Sequence, residues 1–230
     1  MAKRLLLLRH ASIGLDLAGR LVGASDPDLD APGRSQARAL ADRIRTLAPA
    51  RCYCSPARRC RQTAELLALD VPAEEDADLR EIDFGSWEGR SFAEAAAAAP
   101  ELAARFAGFD LDFAFPGGES LKHFFTRVHA VADRLAQEDT ETLLVVTHGG
   151  VIRAMLCRLL GLNLRKYVLF DVGYAALVVV NVFDGRGVLV LDSVCGTGPV
   201  PLSASLESGQ RSTKAAQGLC GIPSEGPCDG

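Results

Sequence analysis

Arg9-His10 closes the apolar run Leu5-Leu6-Leu7-Leu8, and Thr147-His148-Gly149-Gly150 closes the run Leu143-Leu144-Val145-Val146. A short apolar run bounded by polar and glycine residues reads as a buried strand, and open α/β folds collect ligands at the carboxyl ends of such strands. Two imidazoles and a guanidinium at one sheet edge would suit an anion. Two more segments carry chemistry: Ser55-Pro56-Ala57-Arg58-Arg59-Cys60-Arg61-Gln62-Thr63-Ala64, and Leu79-Arg80-Glu81-Ile82-Asp83-Phe84-Gly85-Ser86-Trp87-Glu88-Gly89. Taken singly, each has a bland reading: a common dipeptide, a cationic helix start, an acidic turn, a core histidine satisfied by a carbonyl.

The elements that must position these residues alternate between strand and helix signals, the pattern of a layered α/β fold. Gly33 to Leu47 repeats Ala37, Leu40, Ala41, Ile44 and Leu47 at helical spacing, and Arg51 to Cys54 is a short strand. Pro56 suits the first turn of a second helix holding Arg58, Arg59 and Thr63. Ser120 to Leu135 reads as a third helix capped by Ser120, and Gly149 to Leu160 as a fourth. Val172 to Phe183 and Val188 to Val194, divided by Asp184-Gly185-Arg186-Gly187, read as a closing hairpin.

The 230 residues, 48% hydrophobic, suffice for one domain with a sizeable core. A formal charge of −4 with no basic block argues against a nucleic-acid partner. Four leucines after Lys3-Arg4 are too few for a signal core, and no apolar stretch reaches the roughly 20 residues a bilayer needs, so a soluble, cytoplasmic chain is expected, with no membrane partner. Seven cysteines without a secretory signal indicate reduced thiols. Cys52, Cys54 and Cys60 lack a second pair at zinc-like spacing and read as small buried hydrophobes. The Gly-, Ser- and Pro-rich stretch 196–230, with Cys220 and Cys228, reads as a flexible tail after a domain ending at 195. No heptad pattern or dimer stripe indicates an oligomeric state.

Together, in order and spacing, the four segments from about Arg4 to Val194 closely resemble the histidine phosphatase superfamily, which includes cofactor-dependent phosphoglycerate mutases and many small-molecule phosphatases. The resemblance implies a phosphoglycerate mutase-like, three-layer α/β/α sandwich with a mostly parallel central sheet. The family's Arg-His-Gly is here Arg9-His10-Ala11, and its Ser-x-x-x-Arg-Ala-x-x-Thr-Ala is Ser55 to Ala64, with Cys60 in the alanine place. In that register Arg59, not Arg58, is the phosphate-binding arginine, Glu81 the catalytic carboxylate and His148 the second histidine. Gly117-Gly118-Glu119-Ser120 resembles a turn frequent in the phosphatase branch.

By this resemblance His10 attacks phosphorus and forms a phosphohistidine, which requires a neutral ring. Arg9 and Arg59 give fork-like hydrogen bonds to phosphoryl oxygens, His148 adds a donor when protonated, and the Gly149 N–H joins from a helix start. Glu81, with Asp83 as the alternative, protonates the leaving oxygen and then activates water. The scheme requires no metal or cofactor; its partner is a small-molecule phosphate ester. Two departures from the pattern bear on rate: Ala11 adds a methyl beside the nucleophile, and Asp16, where an asparagine often contacts phosphate, repels it unless turned away. Ser12 is a substitute donor or a plain loop serine.

The insert at about 85–118 is aromatic, and in this architecture it overhangs the pocket as a small helical lid, with Trp87, Phe92 and Phe113 as its substrate-facing residues; the alternative is a subdomain packing its own core. The insert is shorter than is usual for mutases, which favours hydrolysis over phosphoryl transfer. The layout is similar to that of α-ribazole phosphatases and of sugar-phosphate phosphatases. Retention of both His10 and Glu81 argues against a non-catalytic phosphate-binding adaptor.

Overall fold

A computed structural model describes residues 3–190 of the chain. The expected tail 196–230, its Cys220 and Cys228, and the domain end at 195 lie outside the described residues.

Strands β1 (Lys3–Arg9), β2 (Arg51–Cys54), β3 (Ala73–Glu75) and β4 (Thr142–Thr147) run parallel, and the hairpin β5 (Leu177–Phe183) and β6 (Arg186–Val190) joins antiparallel, in the order β3-β2-β4-β1-β5-β6. β1 and β4 are buried on both faces, which is why they read as unbroken apolar runs. Alternate leucines of β1 serve two cores. Leu6 and Leu8 join Cys52, Cys54, Leu144, Val146 and the helices α1 (Ala31–Thr46) and α2 (Arg58–Leu66) on one side. Leu5 and Leu7 join Tyr53, Leu143, Val145 and the helices α5 (Leu121–Gln137) and α6 (Gly149–Leu159) on the other. Full burial of each leucine stabilises the fold by about 1.5–3 kcal/mol. The protein is therefore the three-layer α/β fold expected, and Cys52, Cys54 and Cys60 are buried in its core as small apolar groups.

Several boundaries differ from the sequence reading for identifiable reasons. α1 begins at Ala31 because Asp30 caps it, accepting from the Gly33 N–H at 2.7 Å. α2 begins at Arg58 rather than Pro56, because Ala57 is extended and Asp26, from a distant loop, accepts from the Arg58 N–H. β3 escapes notice because Ala73, Glu74 and Glu75 are all exposed on the sheet edge. Residues 172–176 are loop rather than strand: the Ala176 carbonyl accepts from the Arg9 N–H, and the Ala175 N–H donates to the His10 carbonyl. The hairpin turn is Asp184-Gly185 alone, both with positive φ as a two-residue turn demands.

Between β3 and α5 the chain forms helices α3 (Phe92–Ala98) and α4 (Pro100–Ala107). Ser91 and Glu94 make a reciprocal capping box at the start of α3. Pro100 ends it, since the residue before a proline is pushed out of the helical region, and Ala99 has φ −145°. Among the described residues, no helix is long and apolar enough to cross a membrane.

Candidate active site

The site follows from strand order. β1 and β4 are neighbours in register Arg9↔Thr147, so His10 and His148 leave the sheet side by side, with the His10 N–H donating to the Thr147 carbonyl at 2.9 Å. Their ring centroids lie 5.2 Å apart. β2 flanks β4 on the other side, and the Ser55 N–H bonds the Val146 carbonyl, which brings Ser55 beside His148 and starts α2 at the same edge.

His10 is buried, and its Nδ1 lies 2.9 Å from the Ala11 carbonyl. A carbonyl only accepts, so Nδ1 carries the proton and Nε2 keeps its lone pair. Burial, reinforced by the charges of Arg59 and Arg9, holds its pKa well below 6.5. The imidazole is a neutral base with a free nitrogen. Ala11, the departure from the family motif, donates its N–H to Thr63 Oγ1, which in turn donates to the Arg59 carbonyl.

Two guanidiniums converge here. Arg59 is completely buried, donating to the carbonyls of Ser25 at 2.7 Å and Gly23 at 3.0 Å. Arg9 donates to the Val172 carbonyl at 2.6 Å and lies 4.2 Å from the centre of the Tyr174 ring. In both, Nε is buried without a hydrogen-bond partner among the described residues. A buried unpaired donor costs about 1–3 kcal/mol, so an anion accepting from both would recover that cost. Gly149, the first residue of α6, packs against the Arg9 side chain.

His148 caps α6 from outside, with Nε2 2.8 Å from Ser55 Oγ and 3.5 Å from Cys60 Sγ. Burial, then the charges of Arg59 and its neighbours, keeps its pKa well below 6.5. The uncharged ring is favoured, so His148 does not reach the protonated form in which the sequence made it a donor. The Cys60 thiol is pushed up to about 12 by burial and stays protonated beneath it.

Glu81 is held by backbone: Oε2 accepts from the Gly150 N–H at 3.0 Å and Oε1 from the Ile82 N–H at 3.1 Å. Its loop is pinned from two directions. Thr147 Oγ1 donates to the Leu79 carbonyl, and Arg127 of α5 donates to the carbonyls of Asp78, Arg80 and Glu81. Glu119 aligns Arg127 through two hydrogen bonds of 2.7 and 2.8 Å. Burial acts to raise the Glu119 carboxyl, yet the Arg127 and His123 hydrogen bonds hold it below its usual range. The Gly-Gly-Glu-Ser turn is thereby explained: Gly117 has φ +70°, Gly118 packs against the Asp83 carbonyl, Glu119 orients Arg127, and Ser120 caps α5. Asp83, the alternative acid, accepts instead from the Gly85 N–H.

Two residues of the acidic segment and the loop before α1 carry roles that single motifs do not announce. Glu88 accepts from the N–H groups of Gly23, Ala24 and Ser25 and from the Ser25 hydroxyl, fixing the carbonyls that hold Arg59. Gly23 lies so close to the Ile82 carbonyl that a Cβ would sit 1.8 Å from its oxygen. Asp16 is exposed in a short turn and lines neither cavity at the site, and Ser12 is occupied by Asp30 and Gly14.

Glu81 stands between two cavities. A polar one of about 540 Å³ is lined by Asp26, Pro56, Ala57, Arg80, Glu119 and His148 among others. A largely apolar one of about 410 Å³ reaches Arg9, His10 and Gly149 and is walled by Phe84, Phe106, Phe109 and Phe125. The aromatic residues offered as a lid need correction. Trp87 and Phe113 are buried in an aromatic cluster with Phe106 and Phe115, and Phe92 packs on the outside of Phe106; none of the three lines the cavity. Apolar side chains this large bury themselves against one another before they line a wet mouth. The wall falls to Phe106 and Phe109 at the end of α4 and the turn after it.

Comparisons with known proteins agree with this geometry. The family model described as histidine phosphatase superfamily (branch 1) matches residues 5–193. Phosphoserine phosphatase 1 of Hydrogenobacter thermophilus is 33% identical over 201 residues, covering 85% of this chain and 94% of that protein. The structure of a putative alpha-ribazole-5'-P phosphatase from Escherichia coli superposes with a TM-score of 0.76 at 25% identity, over 83% of this chain and 96% of that one. That of a mycobacterial glucosyl-3-phosphoglycerate phosphatase gives 0.70 at 28%, over 82% and 97%. With strand order, paired histidines and arginines and family match in agreement, the chain belongs to the histidine phosphatase superfamily, branch 1.

Proposed function

We infer that this protein is a phosphatase that hydrolyses phosphomonoesters of small metabolites through a phosphohistidine on His10, without a metal, in the cytoplasm. The observation that carries the reading is the free Nε2 of a neutral His10 beside two guanidiniums whose Nε donors have no partner among the described residues.

In the first step His10 Nε2 forms a bond to phosphorus as the ester P–O bond breaks, and the Glu81 carboxyl proton passes to the leaving oxygen. In the second, water attacks phosphorus, gives a proton to Glu81 and displaces the imidazole, releasing phosphate. Arg9 and Arg59 offer their Nε hydrogens to the phosphoryl oxygens, and the Gly149 N–H at the start of α6 adds a donor. With Ser55 donating to His148 Nε2, the His148 proton sits on Nδ1 and serves the same anion. The relatives named above act, by their names, on phosphoserine, alpha-ribazole phosphate and glucosyl-3-phosphoglycerate, all small phosphate esters. The buried free thiols Cys52, Cys54, Cys60 and Cys157 suit a reducing compartment.

The test is rapid mixing of the protein with 4-nitrophenyl phosphate in EDTA. The expected result is a stoichiometric burst of nitrophenol, with an alkali-stable, acid-labile phosphoryl label on His10 that is absent from His10→Ala. Binding without turnover would leave only a phosphate-binding protein, and loss of turnover in EDTA would point to a metallophosphatase.

A further inference from the structure

The apolar cavity contains one cation that the chemistry above leaves unused. Arg153 projects from α6 one turn beyond Gly150, the residue that holds Glu81, and lines the same cavity as His10 and Arg9. Its guanidinium lies 5.6 Å from the centre of the Tyr167 ring and is hydrogen-bonded to the Tyr167 side chain, while among the described residues its buried Nε has no hydrogen-bond partner. Among the described residues it forms no ion pair with any carboxylate. The other basic residues of the cavity are engaged: Arg9 faces the phosphoryl site, and Arg20 is held by the Gly89 and Asp16 carbonyls and by Glu94. Most of the remaining wall is apolar, with Leu21, Val22, Ile82, Phe84, Phe109 and Phe125.

We propose that Arg153 is a specificity residue, which binds a carboxylate carried by the alcohol part of the phosphate ester. A single guanidinium that keeps an unsatisfied Nε–H beside its Tyr167 contact matches one carboxylate. A second phosphoryl group would bring two charges to one cation and face Glu81 across the same cavity, which favours the monoanion. The apolar wall holds the carbon skeleton between the two anionic ends. This proposal rests on the hydrolytic reading of the same site.

The deciding comparison uses two esters with one skeleton, phenyl phosphate and 3-carboxyphenyl phosphate. The wild-type protein is expected to favour the carboxylated ester in kcat/KM, and Arg153→Gln to lower the ratio of the two by about 10- to 100-fold, the range for a charge-assisted hydrogen bond in a sheltered site. Arg153→Lys should recover part of that ratio. An equal loss for both esters, or an unchanged ratio, overturns the proposal and leaves Arg153 as a counter-charge that positions Glu81. Binding of benzylphosphonate and 3-carboxybenzylphosphonate, measured by calorimetry, requires no turnover. If neither ester is hydrolysed, the hydrolytic reading fails, yet tighter binding of the carboxylated phosphonate to wild type and not to Arg153→Gln still supports the assignment, and equal binding overturns it.

Discussion

Glu81 Oε2 accepts a 3.0 Å hydrogen bond from the backbone N–H of Gly150, and a methyl group on Gly150 would lie 2.3 Å from Oε1 of the same carboxylate. The second glycine after His148 is thus a seat for the Glu81 carboxylate. Gly150→Ala must displace the carboxyl, and displacement of about 1 Å can cost on the order of a hundredfold in rate. Glu81→Gln keeps the shape but has no proton to give, for an expected loss of about 10²- to 10⁴-fold in kcat. Both variants should still bind vanadate or phosphate. Steady-state kinetics with an anion titration checks this, and unchanged kcat in Glu81→Gln would remove the residue from the mechanism.

The clamp formed by Glu88 predicts a different signature. Glu88→Ala frees the N–H groups of residues 23–25, so the Gly23 and Ser25 carbonyls no longer fix Arg59. Phosphate affinity should fall by about tenfold or more, as expected when a charge-assisted donor is misplaced. The inhibition constant of vanadate reports it. An affinity unchanged from wild type would mean that Arg59 is held by α2 alone.

Stability should depend on pH through the two site histidines. Both are held well below 6.5 in the folded protein, so below that pH the unfolded chain binds more protons than the folded one. Their contribution is therefore fully present above 6.5 and is lost as pH falls from there toward the folded-state values, at up to about 1.4 kcal/mol per pH unit for each ring. Urea midpoints taken from about pH 8 to about pH 5 should decline less steeply in a His10→Gln, His148→Gln double variant. Equal slopes would show that the rings titrate normally.

Burial divides the aromatic insert into wall and filler. Phe109 lines the apolar cavity beside Phe125 and Tyr167, so Phe109→Ala should raise KM for aryl phosphates by about tenfold relative to glycerol phosphate. Trp87 is filler: Trp87→Ala should cost about 3–5 kcal/mol of stability without changing that ratio. Paired KM and denaturation measurements separate the two effects. Selectivity that follows Trp87 instead would restore it as a lid residue.

The strands that carry His10 and His148 were legible because they are buried on both faces, so their apolar runs stand out and end abruptly at chemistry. Their adjacency was not, since neither local pattern nor spacing states that β4 pairs with β1. The edge strand β3 carries no apolar signal, and the span 172–176 carries a false one: Val172 and Ala176 suit a strand, but their carbonyls are taken by Arg9. Arg59 was placed by motif register, whereas its fixation by Glu88 depends on a contact across 63 to 65 residues of chain. Which aromatics would face the cavity was hidden for a similar reason: composition marks all of them as apolar, and only packing tells inside from rim.

The stretch from Val172 to Ala176 is sewn to Arg9 and His10, through the Arg9 N–H, the Arg9 guanidinium and the His10 carbonyl. Tyr174, in the middle of it, also faces the His10 ring. Anyone transplanting this connection from a relative to redirect substrate choice would be retuning the surroundings of His10 at the same stroke, so the two are not independent design variables in this enzyme. Grafts that stop short of Val172 leave that coupling untouched.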